Sequence, residues 1–140
     1  HEQLLRGLLV SNLAAIHQKT RIGRLSAYCG AVSAACGSGA AITYLSGGSY
    51  DQICETITNT LAVVSGIVCD GAKPSCAAKI ATAVDAAINA HNLAMKRKVF
   101  QPGDGIVKDD IEKTIAGIGS IAADGMRETD KVILKIMVED

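Results

Sequence analysis

Apolar residues recur at helical spacing along most of the chain. The first such stripe lies between Glu2 and Lys19 and consists of Leu4, Leu5, Leu8, Leu9, Leu13 and Ile16. Further stripes at steps of three and four begin near Tyr50, Ser75, Ile111 and Glu128. No stretch alternates apolar and polar residues over enough positions to predict a strand. The pattern therefore predicts an all-α fold of about six packed helices, with close contacts between helices at Gly and Ala residues.

Local signals place several helix boundaries. Ser49 with Gln52 forms the pattern of a capping box, and the helix that follows is predicted to run into Cys69. Asp109 with Glu112 predicts a second capping box. Pro74 stands where the first turn of a helix tolerates proline. The residues predicted to face inward on the last two long helices are Ile80, Val84, Ala87 and Ile88, followed by Val132, Ile133, Ile136 and Met137.

Two polar residues fall on apolar helix faces, and each has a structural and a functional interpretation. Asn12 lies inside the first stripe, where it is either a core amide with satisfied hydrogen bonds or a substrate contact. His91 continues the inward line of its helix, which favours a packed or capping histidine.

The segment from Leu25 to Tyr44 is rich in Ala, Gly and Ser. Small residues allow close backbone approach, so we expect a helix here, with a break near Gly37–Gly39. The Gly-Ser-Gly sequence at that point is a weak phosphate-loop signal, because no strand precedes it and no Gly-Lys-Ser/Thr follows.

Composition narrows the functional classes. The 140 residues are 49% hydrophobic and 3% aromatic, with a formal net charge of zero. We treat residues 1–140 as one domain with a core of small aliphatic side chains. The charge balance indicates no nucleic-acid partner, and the uncharged run from Leu25 to Tyr50 is too rich in Ser and Gly to predict a membrane span.

Five cysteines are an odd number for a disulfide framework, and the sequence has no secretory pattern. We therefore expect reduced thiols or metal ligands in a cytoplasmic protein. Cys69 and Cys76 flank a short polar turn, and Cys29 is the best third ligand, with Cys36 two helical turns beyond it. Spacing alone leaves open a metal site, a structural zinc site and buried structural cysteines.

Seven strings of the chain together resemble the iron–sulfur L-serine dehydratase alpha-chain superfamily, and most closely its L-cysteine desulfidase-like branch. They are Cys29–Val32, Ala40–Thr43, Gly47–Gly48, Cys69–Cys76, Ala81–Val84, Gly103–Asp110 and Asp124–Asp130. The resemblance covers nearly the whole chain, and the string around Cys69 is specific. It implies that the chain is the C-terminal portion of a longer catalytic protein and part of a larger helical catalytic domain.

The resemblance also implies a cofactor and a reaction. Cys29, Cys69 and Cys76 match the positions that hold a 4Fe–4S cluster, and Cys36 and Cys54 are left as structural residues. The implied activity is a lyase reaction independent of pyridoxal phosphate, the β-elimination of L-cysteine to pyruvate, ammonia and sulfide, or of L-serine to pyruvate and ammonia. The alternative is a non-catalytic helical assembly module with buried cysteines.

Two residues of the turn are candidates for the chemistry. Lys73 and the free N–H groups of the helix start are expected to bind the substrate carboxylate, against the alternative of a solvated lysine. Asp70 is expected to orient a ligand, against an ordinary acid at a helix end. The expected partners are a small amino-acid substrate, the missing N-terminal part of the same chain and a second copy in a homo-oligomer, with no nucleic acid and no membrane.

Overall fold

The computed structural model describes residues 1–139 and confirms the all-α prediction. Six α-helices follow one another: α1 (Glu2–Ile22), α2 (Gly30–Leu45), α3 (Tyr50–Val64), α4 (Pro74–Ala94), α5 (Ile111–Ser120) and α6 (Arg127–Val138). A π-helical turn, Ile121–Gly125, connects α5 to α6. Within residues 1–139 the extended backbone pairs at one isolated antiparallel bridge, between Tyr28 and Val68.

Helix α2 is the centre of the fold and packs against α1, α3 and α4. The predicted break at Gly37–Gly39 is wrong, because the helix is continuous and its glycines admit neighbouring helices. A Cβ at Gly37 would overlap the backbone oxygen of Ser11 on α1. A Cβ at Gly39 would lie 3.1 Å from side-chain atoms of both Thr56 on α3 and Ala87 on α4. The small residues of α2 thus set the spacing of three helices.

The leucine stripe of α1 faces outward. Its side chains are between 49% and 63% exposed. Asn12 is also exposed and donates a hydrogen bond to the Leu8 carbonyl at 2.7 Å, so the prediction of a core amide is wrong. The opposite face of α1 packs on the domain through smaller or polar residues, including Gly7, Ala14 and Gln18. Small residues allow α1 to approach α2 closely, which explains why this face is the buried one.

Alanines also decide which face of α4 is buried. Ala83, Ala87, Ala90 and Ala94 are all at most 2% exposed. The inward prediction for Ala87 is confirmed. The predictions for Ile80 and Ile88 are wrong, because these side chains are 50% and 41% exposed. Val84 is half-buried beside the alanine face.

No residue of α6 within the described part of the chain is buried. Ile133 is half-buried, whereas the inward predictions for Val132, Ile136 and Met137 are wrong, since all three are exposed. The helix contacts the π-helical turn, and Met137 reaches Gly71 in the turn before α4. Its apolar face therefore has little of residues 1–139 to pack against.

Helix boundaries follow the local signals with small shifts. Ser49 and Gln52 form the predicted capping box at α3. Helix α3 ends at Val64 rather than at Cys69, because the chain turns at Ser65 and Gly66 and then becomes extended. The cap of α5 is Asp110, one residue beyond the predicted Asp109, and its side chain accepts from the Glu112 N–H.

Candidate functional site

Pairing of two loops brings distant cysteines onto neighbouring segments. Residues 27–29 precede α2, and residues 67–69 follow α3. The Cys29 N–H donates to the Ile67 carbonyl at 3.1 Å, and the Cys69 N–H donates to the Ala27 carbonyl at 2.6 Å. These two bonds flank the Tyr28–Val68 bridge. Cys29 therefore lies opposite Ile67 and Cys69 opposite Ala27, so the two cysteines are diagonal neighbours on the paired segments.

The three cysteines expected to bind the cluster differ in exposure. Cys29 is the N-cap residue of α2 and is buried, at 3% exposed. Cys69 is exposed on the turn, and Cys76 is half-buried in the first turn of α4, where its N–H donates to the Lys73 carbonyl at 2.8 Å. All five cysteines of the chain are free thiols.

Lys79 joins the turn to α4 and was not identified from the sequence. Its Nζ donates to the Val68 carbonyl at 3.0 Å and also bonds to the Asp70 carboxylate. The Asp70 bond is the largest cause that raises the pKa of Lys79, and the charges of Cys29 and Cys69 contribute less. The ammonium is therefore held by the two residues that flank Cys69. The sequence signal was the spacing of Cys76 and Lys79, which places them on one helix face.

Asp70 is an anion in this arrangement. The bond from Lys79 is the main cause that lowers the pKa of its carboxyl below the ordinary value. The carboxylate is consequently charged at neutral pH and acts as an acceptor rather than an acid.

Lys73 and Asp70 line one cavity of about 440 Å³ between the turn and α6. The other lining residues are Val68, Ile133, Ile136 and Met137. Lys73 is exposed and is the N-cap residue of α4, with extended backbone. Gly71 has φ of 93°, and a Cβ there would lie 3.0 Å from Met137 Cε. The turn thus needs glycine for its conformation and leaves one carboxylate and one ammonium at the cavity.

The donors present suit an iron–sulfur cluster in kind, since thiolates are the protein ligands that such clusters take. The paired loops hold two of the three thiol-bearing residues, Cys29 and Cys69, as diagonal neighbours. The cation at Lys79 is suited to a site of negative charge. The third residue, Cys76, lies one helical turn before Lys79. In the described residues, no three His, Cys, Asp or Glu side chains are grouped to hold a metal ion. The backbone therefore assembles the neighbourhood, while the side chains do not converge.

The remaining cysteines lie elsewhere. Cys36 is fully buried in α2, and burial raises the pKa of its thiol. Cys54 on α3 is half-buried and lines a separate cavity of about 480 Å³. The Tyr28 hydroxyl is buried without a hydrogen-bond partner, and burial raises its pKa, with smaller contributions from Cys36 and Cys29. His91 is packed, with Nδ1 2.9 Å from Thr43 Oγ1.

Comparison with known proteins decides the family. The family model for the serine dehydratase alpha chain matches residues 1–135. The chain belongs to the serine dehydratase alpha-chain family. This match confirms the resemblance that the cysteine strings indicate.

The relatives of this serine dehydratase alpha-chain member are longer proteins. A UPF0597 protein of Treponema denticola is 67% identical over 99% of this chain, which covers 32% of that protein. A UPF0597 protein of Lachnoclostridium phytofermentans is 67% identical over 98% of the chain and 33% of that protein. One of Fusobacterium nucleatum is 53% identical over 99% of the chain. The chain thus spans about a third of the length of these curated relatives.

No solved structure matches the chain. None of the helices in residues 1–139 is both long enough and apolar enough to cross a membrane.

Proposed function

We propose that the longer protein represented by this chain is an iron–sulfur-dependent lyase that eliminates the β-substituent of L-cysteine or L-serine without pyridoxal phosphate. The supporting observation is the pairing of residues 27–29 with residues 67–69, which holds Cys29 and Cys69 as diagonal neighbours in a member of the serine dehydratase alpha-chain family. In this proposal Cys29, Cys69 and Cys76 hold a 4Fe–4S cluster. A cluster with three cysteine ligands has one open iron, which supplies Lewis-acid assistance to departure of the substrate's thiol or hydroxyl.

The residues of the chain have separate roles in binding. Lys73 lies at the cavity mouth and is proposed to bind the substrate carboxylate, together with N–H groups at the start of α4. Asp70 keeps its negative charge and is proposed to orient the substrate ammonium or a neighbouring ligand. The apolar residues of α6 at the cavity are placed to exclude water from one side.

The overall reaction is a balanced β-elimination. A base takes the α-proton, the bond from Cβ to sulfur or oxygen breaks, and the leaving group departs with the electron pair. It takes up the proton that the base removed and is released as hydrogen sulfide or water. The aminoacrylate that remains hydrolyses to pyruvate and ammonia. We assign no base to the residues of this chain.

The test uses the longer protein prepared without oxygen. We expect iron and acid-labile sulfide, and pyruvate release from L-cysteine or L-serine, with sulfide release identifying L-cysteine as the substrate. Replacing Cys29, Cys69 or Cys76 singly by Ser should lower the iron content and abolish pyruvate release. Cys54→Ser is the matched control, because Cys54 lies at another cavity, and it should change neither.

The second candidate is a non-catalytic helical assembly module. It is favoured by the lack of a grouped three-residue metal site among the described residues and by the exposed apolar faces of α1 and α6. Two results together would establish this candidate over the lyase. The longer protein would contain no iron after anaerobic reconstitution, and it would keep its function in the cell when Cys69 and Cys76 are both replaced by Ser.

We also propose a partner for the leucine stripe of α1. About two thirds of the relatives' length lies outside the matched region. A row of six exposed apolar side chains on one helix is unusual on the solvent-facing surface of a soluble protein. The occupant in this proposal is the remaining part of the same polypeptide, expected from the sequence to be its N-terminal part. Self-association and a cytoplasmic location stay predictions, and sedimentation of the longer protein checks the first.

A further inference from the structure

We propose that Lys79 is a positioning residue that fixes the Cys69 turn against α4 and places a positive charge next to Cys69. The charge role rests on the proposed cluster, whereas the positioning role is independent of it.

The hydrogen bonds of Lys79 hold both sides of Cys69. One acceptor is the carbonyl of Val68, at 3.0 Å, and the other is the carboxylate of Asp70. Cys69 itself donates its N–H to Ala27. The backbone of Cys69 is therefore tied to α4 through its two neighbours and to the segment before α2 through its own amide. These ties restrict the turn and leave the thiol exposed.

Lys79 is more buried than the other lysines that form ion pairs in the described residues. Its side chain is 21% exposed and that of Asp70 is 42% exposed, and its ammonium bonds a backbone carbonyl in addition to the carboxylate. By comparison, the side chains of the Lys113–Asp109 pair are 61% and 68% exposed, and the two residues are four apart on the surface. Exposed pairs of that kind contribute little to stability. The Lys79 bonds instead join a loop to a helix.

The positive charge of Lys79 should affect the reduction potential of the proposed cluster. The Lys79 ammonium bonds to the residues on either side of Cys69, and Lys79 follows Cys76 by one turn of α4. A fixed cation close to thiolate ligands favours the more negative, reduced form of a cluster, because charge and hydrogen bonding around the ligands set its reduction potential. Loss of the cation should lower that potential.

The experiment compares four variants of the longer protein with the wild type. Lys79→Met removes the charge and the hydrogen bonds, Lys79→Gln keeps a donor without the charge, and Lys79→Arg keeps both. Lys113→Met is the matched control, since it removes an exposed lysine from a Lys–Asp pair. The first measurement is hydrogen exchange at the Cys69 amide in the metal-free protein. The second is the reduction potential of the reconstituted protein by spectroelectrochemistry.

We expect Lys79→Met to speed exchange of the Cys69 amide about tenfold or more, because a charge-assisted bond to the turn is lost. It should also lower the reduction potential. Lys79→Gln should lower the potential with a smaller change in exchange, Lys79→Arg should restore both quantities, and Lys113→Met should change neither. If Lys79→Met does not fold, Lys79→Gln and Lys79→Arg carry the comparison.

If the Cys69 amide exchanges at the wild-type rate in Lys79→Met, the positioning role is wrong. Exchange in Lys79→Arg as fast as in Lys79→Met would also overturn it. An unchanged potential in Lys79→Gln would overturn the charge role. Absence of iron from every variant and from the wild type would refute the proposed function and the charge role together. The exchange measurement would still decide the positioning role.

Discussion

Replacing Gly37 by alanine tests the close approach of α1 and α2. The added Cβ would overlap the carbonyl oxygen of Ser11 and lie 3.2 Å from the Cβ of Ala15. The overlapped atom belongs to the backbone of α1, so rotation of a side chain cannot relieve the clash. The helices must separate by roughly 1 Å, and a gap of that size forfeits up to about half of the dispersion energy of the contacts concerned.

The expected change in stability in Gly37→Ala is the difference between two opposing free energies. Overpacking of a well-packed interface costs about 1–3 kcal/mol. Alanine regains about 1 kcal/mol of helix propensity relative to glycine. We therefore expect Gly37→Ala to destabilise the α1–α2 pair by up to about 2 kcal/mol, a factor of up to roughly 30 in the opening equilibrium.

Gly117→Ala is the matched control. Gly117 lies within α5, and a Cβ there would meet no atom within 4 Å, so the helix-propensity gain is unopposed. Native-state hydrogen exchange of the longer protein measures the stability of each helix separately, so it detects the effect of each variant at its own helix. Amides of α1 and α2 should exchange faster in Gly37→Ala, and amides of α5 should exchange more slowly in Gly117→Ala. Slower exchange in both variants would refute the helix spacing described above.

Two further predictions concern the α1 stripe and the turn. Leu9→Glu should lower the free energy of unfolding of the longer protein by about 2 kcal/mol or more, because it places a charge on surface that we propose is covered. The control is Leu25→Glu, which changes a residue that is 90% exposed and should alter the free energy of unfolding little. Calorimetry compares the two melting temperatures, and equal shifts would contradict a covered stripe. Protection of the Cys69 amide should be constant near neutral pH and fall below about pH 4, because the pKa of Asp70 is lowered in the fold and its contribution is lost as pH falls through that pKa. The raised pKa of Lys79 predicts a second loss of Cys69 amide protection only at strongly alkaline pH. Protection that does not change below about pH 4 would contradict the Asp70 bond.

Helix positions were largely predictable because their signals are local. The capping box at Ser49 and the proline that opens α4 both act within one helical turn. The assignment of the three cysteines and of the two polar residues of the turn to a site also came from sequence strings, and it stays a prediction. Spacing alone did not separate a metal site from structural cysteines, and the family match was needed to favour one interpretation.

The sequence alone determined that the chain is all-α, where most helices begin and which family it belongs to. Tertiary structure decided which helix faces are buried. Periodicity identifies an apolar face, but on α1 and α4 a face of small residues competes with a face of large ones. The small face is buried on both helices, because it permits closer packing of backbones and leaves Leu9 or Ile80 outside.

Tertiary structure alone also revealed the surroundings of Cys69. The bridge between Tyr28 and Val68 joins two loops that are far apart in the chain, and such a pairing has no periodic signal. Lys79 reads in the sequence as an ordinary charge on a helix, because its acceptors lie in a loop that approaches only after folding. Local patterns determine helices, whereas contacts between distant segments assemble the candidate site.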